Sequence, residues 1–329
     1  MGSTGPLTIP CDLLDKTVNP LKDRITFRLA AGAVLVMVLW ATCFPLITLG
    51  LADAPPMFFA ALRAALSGAV LIIAAQWLKR PPVKGRSAWG AIVLVGLTAT
   101  SLGFFGMFYG GGRVAPGLAT VITNTQPLIA AALAWWILGE HLGMVQRWGL
   151  AMGFGGIVLI GLPSLSGSDS QSLGIVFILL GAVGVAVSNV VLKRLAGRVD
   201  SLRAMGWQLL IGSVPLAVLA LATENASEIS WSLPFIINLL VLSVLGTSAA
   251  FALWFSLLHR ASLSQLNVFT FLTPIFGLII GVLWFDESLF GLTLTGVALC
   301  LIGIYAVNRS PVTEPVVIAP DQSESGHHD

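Results

Sequence analysis

Charged residues are scarce in this sequence. Asp, Glu, Lys and Arg make up 10% of its 329 residues, whereas hydrophobic residues make up 56% and the mean hydropathy is +0.92. A typical soluble domain carries about 25% charged residues, so this chain has too few to cover a water-exposed surface. A lipid bilayer removes that requirement, because hydrocarbon then surrounds most of the protein. The composition therefore excludes an ordinary soluble domain and predicts a membrane protein.

Residue groupings typical of catalysis and metal binding are also missing from the sequence. The four histidines form no HExxH motif, no GxxxxGK[ST] loop for ATP phosphates is present, and the three cysteines have no CxxC spacing. Such groupings bring ligands or catalytic groups together on one helix face or loop. We therefore predict that the chain is not an enzyme and has no metal site, cofactor or disulfide framework. The cysteines are Cys11, Cys43 and Cys300.

Acidic residues are absent from the middle of every long apolar run, since all 15 Asp and Glu residues lie in loops, tails or run ends. A proton-driven antiporter of cations usually needs a buried carboxylate, so this pattern argues against polyvalent cationic drugs and favours a neutral or zwitterionic solute. A phosphate-bearing solute would need several buried basic residues, and only Arg63 lies well inside a run. Its side chain either extends toward the membrane surface or meets a substrate carboxylate.

Ten apolar runs approach or exceed the length needed to cross a bilayer, which is roughly 20 helical residues. With the N-terminus in the cytoplasm, the cytoplasmic segments hold 15 of the 17 Lys and Arg residues, as expected of that side of a membrane. Both termini are therefore predicted to be cytoplasmic, and the regular recurrence of the basic clusters argues against a nucleic-acid partner. The runs are 29–50, 57–78, 87–109, 116–138, 145–162, 172–193, 203–222, 234–258, 263–285 and 290–308.

An internal repeat relates the two halves of the chain. Each half holds five spans, an odd number, so the second half must enter the membrane in the opposite direction. Such inverted repeats are typical of secondary carriers, although duplication could also serve simply to build a large bundle. The residues that recur 147 positions later are Arg113 and Arg260, Pro127 and Pro274, Glu140 and Glu287, Gly149 and Gly296, and Gly156 and Gly303.

The predicted fold class is an all-α polytopic membrane protein with ten transmembrane helices arranged as two inverted five-helix repeats. The N-terminal tail lacks the features of a cleaved secretory signal, and the C-terminal tail, rich in Pro, Glu and Ser, is predicted to be disordered. The segments are a cytoplasmic tail (1–28), the first repeat (29–162), an outer linker (163–171), the second repeat (172–308) and a cytoplasmic tail (309–329).

The repeated segments resemble those of the drug/metabolite transporter superfamily, and in particular its EamA-type ten-helix transporters. Each half has a proline in its fourth helix and a Glu at the end of that helix, within 113–140 and 260–287. Trp40 in the first span and Asn189 in the sixth fit as well, and the resemblance covers about residues 28–308. It implies an inner-membrane exporter of amino acids or other metabolites.

Polar residues precede the proline of the fourth and ninth spans and mark the predicted solute site. Pro127 and Pro274 remove a backbone donor and free a carbonyl four residues earlier, so each helix is predicted to kink there. The inverted repeat makes the two helices face each other near mid-membrane. Alternatively, the Thr hydroxyls bond their own helix and the prolines only shape packing. The polar candidates are Thr123, Asn124, Asn267 and Thr270.

Side chains from other spans are predicted to complete the site. Three aromatic residues lie in helices expected to surround the fourth and ninth, and their rings could hold an aromatic or aliphatic solute while keeping one hydrogen bond. Asn189 and Gln208 are added because a weaker repeat, of offset 145, aligns them with the first half. Glu140 and Glu287 are candidate gate or hinge elements, with a solvated helix-end charge as the alternative. The aromatic candidates are Trp40, Tyr109 and Trp254.

The predicted function is secondary transport of a small neutral or zwitterionic metabolite by alternating access at a central cavity. The protein is expected to act as an exporter or facilitator, with amino acids, aromatic ones included, as candidate solutes. The alternatives are a solute channel, or an efflux carrier for drugs or other metabolites. The expected partners are a small-molecule solute and the lipid bilayer. The sequence leaves the solute, the direction, the coupling ion and the oligomeric state open.

Overall fold

Ten membrane helices, numbered α1 to α10 in chain order, account for most of the residues described by the computed structural model. The ten predicted spans fall on these helices, and the predicted tails lie almost entirely outside the described residues. The described residues are 27–138, 143–165, 169–195, 199–258, 260, 266, 269–270, 272–288 and 291–309.

Six of the helices (α1, α2, α3, α6, α7 and α8) are long and apolar enough to cross a bilayer. The apolar parts of α5, α9 and α10 are shorter, and α4 is divided by a turn. The bounds are α1 Phe27–Gly50, α2 Pro56–Trp77, α3 Arg86–Gly111, α4 116–138, α5 Met144–Leu165, α6 Asp169–Leu195, α7 Ser201–Thr223, α8 233–258, α9 Leu272–Phe285 and α10 Leu292–Arg309.

Helix starts follow local sequence signals. Pro56 and Pro116 occupy the first turn of α2 and α4, where a missing N–H breaks no helical hydrogen bond. The Asp200 side chain accepts a backbone N–H at 3.1 Å at the start of α7, and the Ser232 hydroxyl accepts one at 3.2 Å at the start of α8. These caps satisfy donors that the first turn leaves free.

Turns interrupt α1 and α4 inside the membrane. α4 breaks at Asn124 and Thr125, directly before Pro127, at the place where a kink is predicted. α1 breaks at Thr42, three residues before Pro45, and this interruption was not predicted. Pro274 is the third described residue of α9, and the residue at position 271 is outside the described residues, so a kink at Pro274 stays a prediction.

Two helices also contain π-helical segments, one in each repeat. Gly96–Leu102 forms such a segment within α3, and Val241–Ala249 forms one within α8. The third helix of each half therefore widens in its middle third. π-segments leave carbonyls out of the regular α-helical ladder and are frequent at functional sites.

Polar contacts at the two ends of the bundle fix the direction of each helix. At one end the Glu224 carboxylate accepts the backbone N–H groups of Met57 and Phe58, which begin α2, at 2.9 to 3.0 Å. At the opposite end Arg80, after α2, lies 3.9 Å from Asp200, before α7. We call the first end, which holds the α1–α2 and α7–α8 connections, the outer end, and the other the inner end.

Glycine contacts show the inverted repeat in three dimensions. A Cβ on Gly156 would lie 2.5 Å from the Gly296 carbonyl oxygen, and a Cβ on Gly303 would lie 2.5 Å from that of Gly149. The two contacts are equivalent under the repeat, because Gly156 corresponds to Gly303 and Gly149 corresponds to Gly296, each 147 positions apart. α5 and α10 therefore pack across the two-fold axis that relates the halves, and the predicted arrangement of two inverted five-helix repeats is confirmed.

Large apolar side chains are exposed along the outside of the bundle. Val158 on α5, Val176 on α6 and Val218 on α7 are each about 60% exposed, and Trp136 on α4 is 80% exposed. Contiguous apolar surface on this scale is unfavourable in water and favourable against lipid chains. The fold is that of a multi-pass membrane protein.

Adjacent glycines of α5 provide a matched test of the α5–α10 contact. Gly156→Ala should destabilise the protein by about 1–3 kcal/mol, since overpacking forces backbones apart. Gly155→Ala should be neutral or slightly stabilising, because a Cβ there meets nothing within 4 Å and alanine favours a helix. The thermal unfolding midpoint of each variant in detergent measures the difference. Equal midpoints would contradict the close packing of these helices.

Candidate functional site

A cavity of about 440 Å³ lies between the two repeats, within the range typical of small-molecule sites. Its wall combines aromatic rings, aliphatic groups, hydroxyls and amides. Among the described residues the lining reaches Val199, in the α6–α7 connection, and Ser201, the first residue of α7, at the inner end. In the opposite direction it ends at Phe44, Met107 and Thr120. The cavity therefore extends from the middle of the bundle to the inner end.

The structure brings together most of the residues predicted to bind the solute. They come from α1, α4, α6, α7 and α8, so five helices contribute predicted residues to one cavity. Arg63 of α2 also lines the cavity. The predicted residues found in the lining are Trp40, Thr123, Asn124, Asn189, Gln208 and Trp254.

Tyr109 lies outside the cavity lining, so the structure does not bring it together with the other predicted residues. Its ring centroid is 5.0 Å from that of Phe177 and 5.5 Å from that of Phe105, and the Arg113 guanidinium lies 4.6 Å from it. Tyr109 lies near the outer end of α3, on the side of the helix that packs against α6. The sequence shows that Tyr109 belongs to α3, but it does not show which side of that helix faces the cavity.

The ninth span is described only in part. Asn267 and Glu140 lie outside the described residues, so their predicted roles stay predictions. Thr270 is described and is not among the residues that line the cavity. Thr273, three residues later, does line it.

Aromatic rings form one wall of the cavity. The ring centroid of Trp40 lies 5.5 Å from that of Trp254 and 5.8 Å from that of Phe251. This packing joins α1 to α8 and leaves each ring half-buried. Rings held in this way offer rigid apolar surface to a ligand and lose little conformational freedom on binding.

Some polar side chains at the turn in α4 bond to their own helix, and one remains available to a solute. Thr125 Oγ1 donates to the Ile122 carbonyl at 2.6 Å, and Asn124 Nδ2 donates to the Thr120 carbonyl at 2.8 Å. These side chains satisfy the local backbone, as in the alternative reading of the sequence. Thr123 Oγ1 is buried with no hydrogen-bond partner, so it is the hydroxyl of this turn that remains able to bind a solute.

Two equivalent polar contacts cross the cavity wall between helices. The Nε and Nη2 groups of Arg63 donate to Thr247 Oγ1 at 3.2 and 3.1 Å, joining α2 to α8. Thr100 Oγ1 donates to Gln208 Oε1 at 2.6 Å, joining α3 to α7. Arg63 and Gln208 are 145 positions apart, and Thr100 and Thr247 are 147 apart. The inverted repeat therefore converts one contact into the other.

Serines next to these threonines also form hydrogen bonds at equivalent positions of the two repeats. Ser248 Oγ donates to the Ser67 carbonyl at 3.0 Å, and Ser101 Oγ donates to the Gly212 carbonyl at 2.8 Å. Both serines lie one residue before the end of a π-helical segment, and the carbonyls that accept their bonds belong to α2 and α7. The accepting residues, Ser67 in α2 and Gly212 in α7, are 145 positions apart, so the weaker repeat of offset 145 holds along these two helices.

Glu287 lies between α4 and α9 at the outer end. Its Oε1 accepts the Gly117 backbone N–H at 2.6 Å, at the positive end of α4. A Cβ on Gly117 would lie 2.7 Å from the carboxylate, and a Cβ on Gly281 would lie 2.4 Å from it, so both glycines make room for this group. Burial raises the pKa of Glu287, and the backbone N–H groups of Gly117 and Leu118 oppose that shift. The net direction is upward, because burial outweighs the two N–H groups.

The family model of the EamA-like transporter family matches residues 28–162 and matches again at residues 172–309. The chain belongs to this family. An uncharacterized transporter of Synechocystis is 32% identical over 88% of this chain and 93% of its own length. A probable amino-acid metabolite efflux pump of Escherichia coli is 27% identical over 83% and 92%.

A solved crystal structure of 20% sequence identity matches with a TM-score of 0.59 and covers 85% of this chain and 96% of its own. At that identity it shows the fold alone. The family and the similar proteins are transporters, so this EamA-like protein is a transporter of small solutes and not an enzyme. The prediction of a drug/metabolite transporter is confirmed.

Sequence reasoning missed Thr100 and Thr247 as site residues. Each follows a stretch of small and apolar residues and carries no motif of its own. Their separation of 147 positions was available in the sequence, and it is the signal that could have paired them. The contacts of Thr100 with Gln208 in α7 and of Thr247 with Arg63 in α2 could not be read from spacing.

Substitution of the two threonines should have unequal effects. Thr247→Val removes the acceptor of two guanidinium N–H groups, whereas Thr100→Val removes one bond between neutral groups. Hydrogen bonds to charged groups contribute about 1.5–3 kcal/mol and neutral ones about 0.5–1.5 kcal/mol. The thermal unfolding midpoint should therefore fall further for Thr247→Val. Thr98→Val, whose hydroxyl bonds its own helix at an exposed position, is the control. A larger loss for Thr100→Val would contradict this assignment.

Proposed function

We propose that this protein is a secondary transporter that exports a small neutral or zwitterionic metabolite by alternating access. The observation that carries the proposal is a cavity shared by two inverted repeats, closed at the outer end and extended to the inner end. Two halves related in this way can exchange conformations, which would open the same site to the opposite side. The closed outer end distinguishes this arrangement from a continuous pore.

Amino acids, including aromatic ones, are the proposed solutes. The cavity wall pairs the Trp40 and Trp254 rings with the hydroxyl of Thr123 and the amide of Asn189. Such a wall suits a solute with an apolar body and a polar head. The name of the Escherichia coli relative refers to amino-acid metabolite efflux and supports the same class.

We propose that Glu287 holds the outer end closed and that Glu140 has the equivalent role at the inner end. Glu287 satisfies the first N–H groups of α4, which would otherwise need water. The repeat places Glu140 in the same relation to the start of the ninth span. In each transport step, the contact of one glutamate with its helix start would break and the contact of the other glutamate would form.

The proposed topology has both termini in the cytoplasm of a cell whose inner membrane contains the protein. The inner end then faces the cytoplasm and bears the basic residues Arg80 and Arg203, as the distribution of positive charge favours. The proposed segment boundaries remain 1–28, 29–162, 163–171, 172–308 and 309–329. The cavity in this conformation would accept solute from the cytoplasm, as export requires.

Purified protein in liposomes should catalyse saturable counterflow of labelled phenylalanine or leucine. A carrier exchanges internal unlabelled solute for external label without an imposed gradient, because each reorientation carries one solute. The initial rate should saturate with concentration and rise several-fold when the liposomes are preloaded. Linear, preloading-independent uptake would favour a channel, and failure of both amino acids to enter would contradict amino acids as the solutes.

Gly281→Ala should disturb the outer closure, because the added Cβ would lie 2.4 Å from the Glu287 carboxylate. A cysteine at position 120, in a variant without the native cysteines, serves as reporter. A membrane-impermeant maleimide applied from the outer side should label it several-fold faster in the Gly281→Ala variant. Gly90→Ala adds a Cβ in open space and should leave labelling unchanged. If the two substitutions gave the same labelling, Glu287 would not control access.

A further inference from the structure

Arg63 is buried in the membrane with one of its donor groups unused. The residue is 3% exposed and lies about two turns inside α2, so the outward extension of its side chain considered from the sequence does not occur. Nε and Nη2 donate to Thr247, and Nη2 also lies 3.4 Å from Cys43 Sγ. Nη1 has no hydrogen-bond partner. A guanidinium presents five N–H donors in a rigid fork, so the two on Nη1 remain unsatisfied.

The surroundings of Arg63 provide no neutralising charge among the described residues. The guanidinium carbon lies 4.7 Å from the ring centroid of Phe104 and 5.7 Å from that of Phe108, so ring faces supply part of its stabilisation. No Asp or Glu appears among the described residues that line the cavity. The described ion pair of this protein, between Arg80 and Asp200, lies at the inner end.

The second repeat shows that the fold does not require this charge. Gln208 holds the position equivalent to Arg63 and makes the equivalent contact with Thr100. Its Nε2 contacts the sulfur of Met205 at 3.5 Å, and a neutral amide is sufficient to join the helices there. A buried charge is costly in a membrane, so a residue that adds one without a structural need requires another explanation.

We propose that Arg63 binds the carboxylate of the transported solute. This inference rests on the proposed function and deepens it, because it selects a carboxylate-bearing solute over a fully neutral one. Nη1 and the edge of the guanidinium would form charge-assisted hydrogen bonds to the carboxylate. The apolar body of the solute would then lie toward the rings of Trp40 and Trp254, across the same cavity. Plain monocarboxylates and zwitterionic amino acids share this chemistry.

Three related probes separate these solutes: phenylalanine, its carboxamide, and the acid that lacks its amino group. Binding is measured as the ligand-induced rise of the unfolding midpoint in detergent, which follows from preferential binding to the folded state. Wild-type protein should bind a carboxylate probe at least tenfold more tightly than the carboxamide. The Arg63→Gln variant should weaken carboxylate binding at least tenfold and change carboxamide binding less than threefold.

Two controls keep the result interpretable. Arg63→Gln copies the residue at position 208, so it is expected to fold, and its midpoint without ligand checks this. Arg113→Gln removes the same charge from the outer end, outside the cavity lining, and should retain the preference for carboxylates. Equal weakening of carboxylate and carboxamide, or no weakening, would overturn the assignment of Arg63. Counterflow of the same probes tests transport separately, so carboxylate binding without counterflow would count against the proposed function and not against the Arg63 site.

Discussion

In the hydrocarbon interior, each backbone N–H and C=O that leaves a helical ladder needs another partner, because no water is present. The interruptions of this protein follow that constraint. The turn at Asn124 in α4 is satisfied by its own side chains, and the π-helical segments of α3 and α8 are satisfied by hydroxyls from neighbouring positions. These three interruptions contribute residues to the cavity, and the break of α1 at Thr42 lies between the lining residues Trp40 and Cys43. In the described part of the chain, the irregular backbone inside the membrane helices therefore lies beside the space that a solute would enter.

Much of this architecture could be predicted from the sequence, because hydropathy and charge report directly on the surrounding solvent. Span number, inverted repeat and most cavity residues followed from apolar run length, from the 147-residue offset and from polar residues inside spans. Contacts between side chains of different helices did not follow. The sequence predicts Tyr109 at the cavity because it lies in α3, yet its ring packs on Phe177 of α6. The sequence does not decide between the two orientations of the Arg63 side chain, because it does not show that Thr247 lies beside it.

The two ends of the protein are related by the repeat and are not chemically identical. The outer closure depends on Gly117 and Gly281, which leave space for the Glu287 carboxylate. The repeat places Ser264 and Ala134 at the equivalent positions of the inner half. Each of these residues carries a Cβ, whereas a Cβ at Gly117 or Gly281 would meet the Glu287 carboxylate. The sequence around Glu140 therefore differs from that around Glu287 at the two positions where the outer contact needs glycine.

A carrier must release what it binds, and the arrangement around Arg63 limits how tightly it can hold an anion. Thr247, Cys43 and two phenylalanine rings already offset part of the cost of burying the guanidinium. A carboxylate would therefore gain chiefly the bonds of Nη1, and it would lose its own hydration on entry. A fully unsatisfied arginine would bind more strongly and slow release, whereas a fully satisfied one would give no preference for anions. The partly hydrogen-bonded guanidinium of Arg63 lies between these limits, so it can prefer a carboxylate and still release it, as turnover requires.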